Sequence, residues 1–251
     1  MDISVLSSGS SGNCFYVGNK KEGVLVDAGI SCKQISERLE KLKVPIERVK
    51  GVFITHEHSD HTRGADVLSR TFGIPVYATE RTAEAMFNDI KIIENKDCVK
   101  IGGIEVESFS KSHKAADPVS FSISDGKRRA SIITDAGFCC NNVLREIRDA
   151  DFLCLESNHD IKMLEEGGYP IYLKRWITSD IGHLSNMQAG LAVLEHAPAR
   201  LKNVILSHIS QNNNTPALAL KTFNSLIKER SDLRIKTIAP EHGDMTGMFR
   251  I

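Results

Sequence analysis

The first third of the chain alternates short apolar runs with turn residues. Ile3–Leu6, Cys14–Val17 and Val24–Val26 have the length and side-chain types of strands, and GNKKEG turns the chain between the last two. The spacing then becomes helical: Ile35, Leu39 and Leu42 share one face of a segment from Ser31 to Leu42. A strand over Val52–Thr55, a helix from about Ser59 to Phe72, a strand over Ile74–Ala78 and a helix over Thr79–Phe87 are expected next. The middle is strand-rich. Cys98–Ile101 and Ile104–Phe109 flank a Gly-Gly turn, and Val119–Ser124 and Ala130–Thr134 flank DGKR, both hairpin patterns. Beyond these, helices near 138–148, 185–197 and 215–230 alternate with strands near 152–155, 203–207 and 234–238.

One internal echo organises these elements. VLVDAG (24–29) and IITDAG (132–137) are apolar strands ending in Asp-Ala-Gly, with a carboxylate at the strand tip and a glycine that permits a sharp exit. Two similar halves meeting at their tips, built as two mixed β-sheets sandwiched between helices, fit this pattern. No linker, low-complexity stretch or short-period repeat divides the 251 residues, so a single domain over 1–251 is expected.

Composition narrows the partners. Hydrophobic content of 41% and charged content of 25% are ordinary for a globular protein with a sizeable core. Lys+Arg and Asp+Glu are 32 each, and this zero net charge argues against coating nucleic acid by bulk electrostatics. A local basic strip remains open, with Lys111, Lys114, Lys162, Lys174 and Arg175 as candidates and solvated surface as the ordinary role of each. The N-terminus lacks the pattern of a secretory signal, and no apolar run has the length to cross a bilayer. The six cysteines form no CxxC pair, and Cys139-Cys140 are vicinal, poor geometry for a structural disulfide. They read as reduced thiols of a cytosolic protein.

The chemistry concentrates at residues 55–61, THEHSDH. Imidazole and carboxylate together suit a Zn-like or Mn-like divalent ion. His56 and His58, two apart in an extended segment leaving a strand, can converge on one ion. Ser59 as helix N-cap puts Asp60 and His61 in the first turn, where the positive helix end favours an ionised Asp60. The turn of the chain lets that second pair address a second ion.

H-x-H-x-D-H between a strand and a helix resembles the signature of the metallo-β-lactamase superfamily. The resemblance implies a four-layer αβ/βα sandwich and a dinuclear metal centre, and it spans residues 3 to 212. It implies that Asp27 of LVDAG orients a ligand rather than binding metal. His113 of KSHKAADP matches the family's lone histidine, Asp135 of IITDAG its bridging carboxylate and His208 of ILSHIS its late histidine, with His242 of PEHGD as the rival. The implied arrangement puts His56, His58 and His113 on one ion and Asp60, His61 and His208 on the other, with Asp135 and a hydroxide bridging them. Zn, Mn and Fe all suit such ligands.

The fold alone does not choose a reaction, since the superfamily cleaves lactams, thioesters and phosphodiesters. Residues 182–214 resemble the RNase Z branch, where a histidine before a helix, here His183, pairs with an upstream glutamate, here Glu156. Such a pair could receive or protonate a leaving oxygen, making His183 and Glu156 catalytic candidates beside Asp60. Closer still is the YycJ/WalJ-type subfamily, through SGSSGN (8–13), ESNHD (156–160), GHLSN (182–186) and LSHIS followed by NNN (206–214). That resemblance implies a DNA exonuclease acting from the 5′ end with a role in mismatch repair. Its partner would be nucleic acid, DNA first, with no membrane involved; a monomer and a homodimer fit equally. About 70 residues between Asp135 and His208 leave no room for a β-CASP domain of usual size.

Ser185 begins a helix whose backbone N–H groups could meet phosphate. Ser10, Asn13 and Asn213 are further candidates for substrate contact, although Asn212–Asn214 could equally form a polar turn. His159 lies close enough in sequence to Glu156 to sit near the site. The alternatives are an RNase Z-like RNA phosphodiesterase and a glyoxalase-II-like thioester hydrolase, the latter with no need of His183. A non-catalytic regulatory protein that retains the fold is a third alternative, the one the intact ligand set disfavours most.

Overall fold

The alternating strand and helix signals are realised as two mixed seven-stranded sheets flanked by helices. The computed structural model describes residues 1–87 and 89–251. The chain forms two compact units, one of Met1–Ser110, Ala115–Arg128 and Gly243–Ile251, the other of Lys111–Lys114 and Arg129–His242.

The first unit opens with β1 (Asp2–Ser7), β2 (Cys14–Gly18) and β3 (Gly23–Val26), paired antiparallel. From β3 the pairing turns parallel through β4 (Val49–Phe53), β5 (Val76–Ala78) and β6 (Ile90–Ile92). Four helices serve these crossovers: α1 (Cys32–Lys41), α2 (Ser59–Thr62), α3 (Ala65–Phe72) and α4 (Glu80–Glu84). Every residue of β2 and β3 is buried, as expected of strands covered on both faces. Ile35 and Leu39 of α1 and Leu68 of α3 join Leu6, Tyr16 and Leu25 in one core. α1 starts at a capping box: Ser31 Oγ accepts from the Gln34 N–H at 3.2 Å, and Gln34 Oε1 accepts from the Ser31 N–H at 3.1 Å. β7 (Cys98–Ile101), β8 (Ile104–Ser110) and β9 (Val119–Ser124) follow as an antiparallel meander.

The second unit is a parallel ladder of β10 (Arg129–Ile133), β11 (Phe152–Glu156), β12 (Asn203–Ser207) and β13 (Lys236–Ile238). Parallel neighbours need crossovers, supplied by α5 (Asn141–Asp149), then α6 (Ile161–Glu166), α7 (Ile171–Ile177) and α8 (Asn186–His196), then α9 (Pro216–Ile227). A two-residue strand, β14 (Phe249–Arg250), pairs with β1 at the edge of the first sheet.

Several expected elements come out shorter or divided. The helix from Ser59 to Phe72 is two helices, because the chain between them is tied elsewhere. Asp60 O accepts from the Asn13 N–H at 2.7 Å, His61 O from the Ala28 N–H at 2.8 Å, and Gly64 N–H donates to Ala28 O at 2.7 Å. Those bonds take the groups that would have continued the ladder. The N-cap is His58 rather than Ser59, and it makes no side-chain cap bond. The helix expected over Thr79–Phe87 covers only Glu80–Glu84. The short elements α6, α7, β6 and β14 carry too few apolar repeats to register as periodic patterns.

Candidate metal and catalytic site

Both units gather their polar side chains at the carboxyl ends of parallel strands, where open α/β sheets bind ligands. In the first unit β3 ends at Val26, paired with Phe53 of β4, and Asp27 and Thr55 follow the two strands. Asp27 is fully buried and has a left-handed backbone, φ 61°. Its Oδ1 accepts from the Thr55 N–H at 2.8 Å, and its Oδ2 accepts from Thr55 Oγ1 at 3.0 Å and from His61 Nδ1 at 2.7 Å. A carboxylate on Nδ1 makes Nε2 of His61 the ring's acceptor nitrogen, the tautomer a metal ligand needs, and Asn13 Nδ2 stands 3.2 Å from it. That Nε2 lies 3.3 Å from Asp60 Oδ2.

Thr55 sets a second ring. Its hydroxyl, already donating to Asp27, accepts from His56 Nδ1 at 2.9 Å, which turns His56 Nε2 toward His58 Nδ1 at 3.0 Å. Two ligand nitrogens on one tetrahedral ion, with bonds of 2.0–2.1 Å, stand ~3.3 Å apart, so this spacing suits a shared cation. Asn13, fully buried, donates from Nδ2 to Gly9 O at 3.2 Å and to Asp60 Oδ2 at 3.4 Å.

In the second unit three adjacent strands deliver one group each. Asp135 (φ 53°) follows β10, Glu156 ends β11 and His208 (φ 54°) follows β12. Non-glycine residues adopt this backbone rarely and at a cost of about 1–2 kcal/mol, so two cases at one set of strand tips, Asp135 and His208, mark an enforced geometry. Glu156 is completely buried and uses both oxygens. Oε1 accepts from His183 Nδ1 at 2.9 Å and from His208 Nδ1 at 2.7 Å, while Oε2 accepts the N–H groups of Ala136 at 2.8 Å and Leu184 at 3.0 Å. Burial alone would raise this carboxyl; the charges and hydrogen bonds of His183 and His208 outweigh it and hold the group well below the usual carboxylate range. Glu156 is therefore an anion that fixes two imidazoles at once.

His113 is oriented by a main-chain group, Nδ1 to Gly182 O at 3.1 Å, and burial pushes its imidazole down to about 4, favouring the neutral form a metal binds. The Nε2 atoms of His113 and His208 stand 3.8 and 3.6 Å from Asp135 Oδ1. Both gaps are too long for hydrogen bonds and suit a cation in between. Asp135, Glu156, His183 and His208 offer ligand atoms all within 4.8 Å of one another. The donor set in each unit therefore fits divalent metal, and His56, His58, Asp60, His61, His113, Asp135 and His208 are the residues that could hold it.

The other expected residues fall into two groups. Ser185 caps α8 through a capping box with Gln188, and Asn213 is buried, its N–H on Ser210 Oγ at 3.2 Å and its carbonyl accepting from the Asp160 N–H at 2.8 Å. Ser10 is exposed. His159 is buried and bridges to Ser185, while His242 lines a pocket of about 400 Å³ with Ile209, Ser210 and Thr215. Thr55, Asn158 and Trp176 carry structure that the sequence reading passed over. Asn158 Nδ2 donates to His208 O at 2.9 Å, and the Trp176 ring meets the His183 ring edge to face at 5.4 Å. Thr55 stands beside the first histidine and Trp176 is the one tryptophan of the chain, the signals that could have found them.

A model of the metallo-beta-lactamase superfamily matches residues 8–144. The chain is 40% identical over 238 residues to the exodeoxyribonuclease YycJ of Bacillus anthracis, covering 92% of this chain and 90% of that one. It is 37% identical over 230 residues to the exodeoxyribonuclease WalJ of Streptococcus pneumoniae, covering 88% and 86%. Among solved structures, the metallo-beta-lactamase fold protein YhfI of Bacillus subtilis superposes with a TM-score of 0.73 at 16% identity, covering 98% of each chain.

Proposed function

Because the chain belongs to the metallo-beta-lactamase superfamily and is a metal-dependent hydrolase, we propose that it is a DNA exonuclease working from the 5′ end in the cytoplasm. The observation that carries the reading is the Glu156 carboxylate with its two imidazoles, together with relatives named as exodeoxyribonucleases. A lactam or thioester hydrolase has no need of a buried glutamate holding a second histidine beside the ligand set.

In this reading two divalent ions, Zn, Mn or Fe, are held by His56, His58, Asp60, His61, His113, Asp135 and His208, with the chain acting as one functional domain. When bound, such ions acidify water and neutralise charge developing on a phosphate. The chain's own groups do the rest. Asp27 and Thr55 lock the tautomers of His61 and His56, and Glu156 locks that of His208. His183 keeps Nδ1 on Glu156 and so presents Nε2, which takes or gives the proton of the leaving oxygen.

The test is protein loaded with Mn or Zn, given 5′-labelled single- and double-stranded DNA, the matching RNA and a thioester. Release of nucleotides from the 5′ end of DNA is expected, and Asp60→Ala should abolish it. His183→Ala should cut turnover about a hundredfold or more while metal content stays constant. Fully metallated protein that leaves all DNA intact would refute the reading, and metal loss in His183→Ala would make that residue a ligand.

A further inference from the structure

Helix α7 carries surface that the chemistry above leaves unused. Tyr172 is 72% exposed and Ile171 65%. Ile171 and Ile161 of α6 line a pocket of about 240 Å³ that Lys174 and Arg175 also line, and Tyr172 is the next residue of the helix after Ile171. Large apolar side chains this open and adjacent mark an interaction surface.

The charges of α7 itself are both positive. Lys174 donates to the Glu165 carbonyl at 2.7 Å, which pins its ammonium at the pocket. Arg175 has no acidic partner among the described residues, and Glu165 is the single carboxylate lining the pocket. Glu166, the neighbouring acid, is taken up by Lys162 at 3.8 Å.

The surface is also continuous with the candidate site. Tyr172 and Trp176 are four residues apart, hence on one face of the helix. Trp176 packs against His183 at 5.4 Å, so an aromatic row runs from the open end of α7 to the imidazole assigned to the leaving group.

We infer that α7 is the track for a single-stranded segment of the DNA substrate. A base stacks on Tyr172 beside Ile171, Arg175 and Lys174 take flanking phosphates, and the strand runs on past Trp176 toward His183. The inference rests on the phosphodiesterase reading. Stacking and phosphate contact are sequence-tolerant, so little base preference should arise here.

Fluorescence anisotropy with metal-loaded protein and a labelled single-stranded oligonucleotide of uncleavable phosphorothioate linkages tests it, with thermal unfolding to check that each variant folds. Tyr172→Ala should weaken binding about tenfold and Tyr172→Phe less than about twofold, because the ring and not the hydroxyl stacks. Arg175→Ala should flatten the slope of log affinity against log salt by about 0.7, the increment for one single-strand phosphate contact. Affinities of Tyr172→Ala and Arg175→Ala within twofold of the parent overturn the inference, as does a parent that does not bind the strand. A change in oligomeric state of Tyr172→Ala with DNA affinity intact also overturns it, assigning the surface to a second copy. Turnover of a small diester, bis(p-nitrophenyl) phosphate, by the parent is read separately. Its absence counts against the phosphodiesterase reading, whatever the binding data say.

Discussion

The two Asp-Ala-Gly strand tips share sequence and backbone but not work. Asp27 and Asp135 both sit in the left-handed region, at φ 61° and 53°. The glycine two residues later is needed in each case for close approach. A Cβ on Gly29 would lie 1.6 Å from Asp60 O, and one on Gly137 would lie 2.1 Å from Asp180 O. Each glycine thus presses its turn against the segment that bears a site histidine, His61 in the first unit and His183 in the second. The carboxylates then diverge. Asp27 spends both oxygens on Thr55 and His61, whereas Asp135 faces the ring nitrogens of His113, His183 and His208 at 3.6–3.9 Å. In the proposed metal site one tip would position a ligand and the other would be one. A strand-end motif fixes where a carboxylate stands, and its neighbours decide what it does.

The sharpest way to break the comparison is to remove each carboxylate. Asp135→Ala should lower turnover about a thousandfold, roughly 4 kcal/mol in the barrier, and reduce bound metal. Asp27→Asn should keep the fold and lower metal affinity about 10- to 100-fold, the usual loss when a ligand's orienting partner goes. Metal titration with turnover on one DNA substrate separates them. Equal losses for both variants would mean that Asp27 is also a ligand.

The glycines test the shared half of the comparison. Gly29→Ala and Gly137→Ala should each destabilise the protein by about 2 kcal/mol or more, because backbone and not a flexible side chain blocks the added carbon, and Gly29→Ala should be the worse because its contact is closer, 1.6 Å against 2.1 Å. Denaturant melts measure this. A Gly29→Ala protein as stable as its parent would show that the turn can shift without loss.

How much of this was legible depended on distance along the chain. The first cluster lies within seven residues, THEHSDH, so ligand type and spacing spoke directly. The second is assembled by topology. Asp135, Glu156 and His208 stand at the ends of three strands, and only the parallel register Ile133↔Leu155 and Glu156↔Ser207 makes them neighbours. Family resemblance could name them, but no local spacing could. The double duty of Glu156 was hidden for the same reason, since both of its imidazoles come from other elements. The break at Gly64 was invisible because hydrogen bonds to Asn13 and Ala28, not propensity, divide the helix.

Glu156→Gln probes that double duty. The amide keeps the shape but loses the charge and sets an N–H₂ against rings that need an acceptor. Turnover should fall about a hundredfold, near 2.7 kcal/mol, with weaker metal binding as His208 loses its orienting anion. Unchanged metal affinity with lost turnover would confine the role of Glu156 to His183.

The smallest effect belongs to His159, which lies among these groups without joining the ligand set. Burial pushes its imidazole down to about 4 against the pull of Glu156, so the folded protein keeps it neutral where the unfolded chain, near 6.5, is protonated. Between those values the unfolded state binds more protons, so stability is full above about pH 6.5 and falls as the pH drops toward 4. The contribution should be about 1–2 kcal/mol at pH 5. His159→Gln, compared with the parent by urea melts of metal-free protein at pH 7.5 and 5, should lose less stability on acidification by that amount. His113 shifts the same way in both proteins and cancels in the difference. An identical acid loss in parent and variant would show that His159 takes up its proton without leaving its buried place.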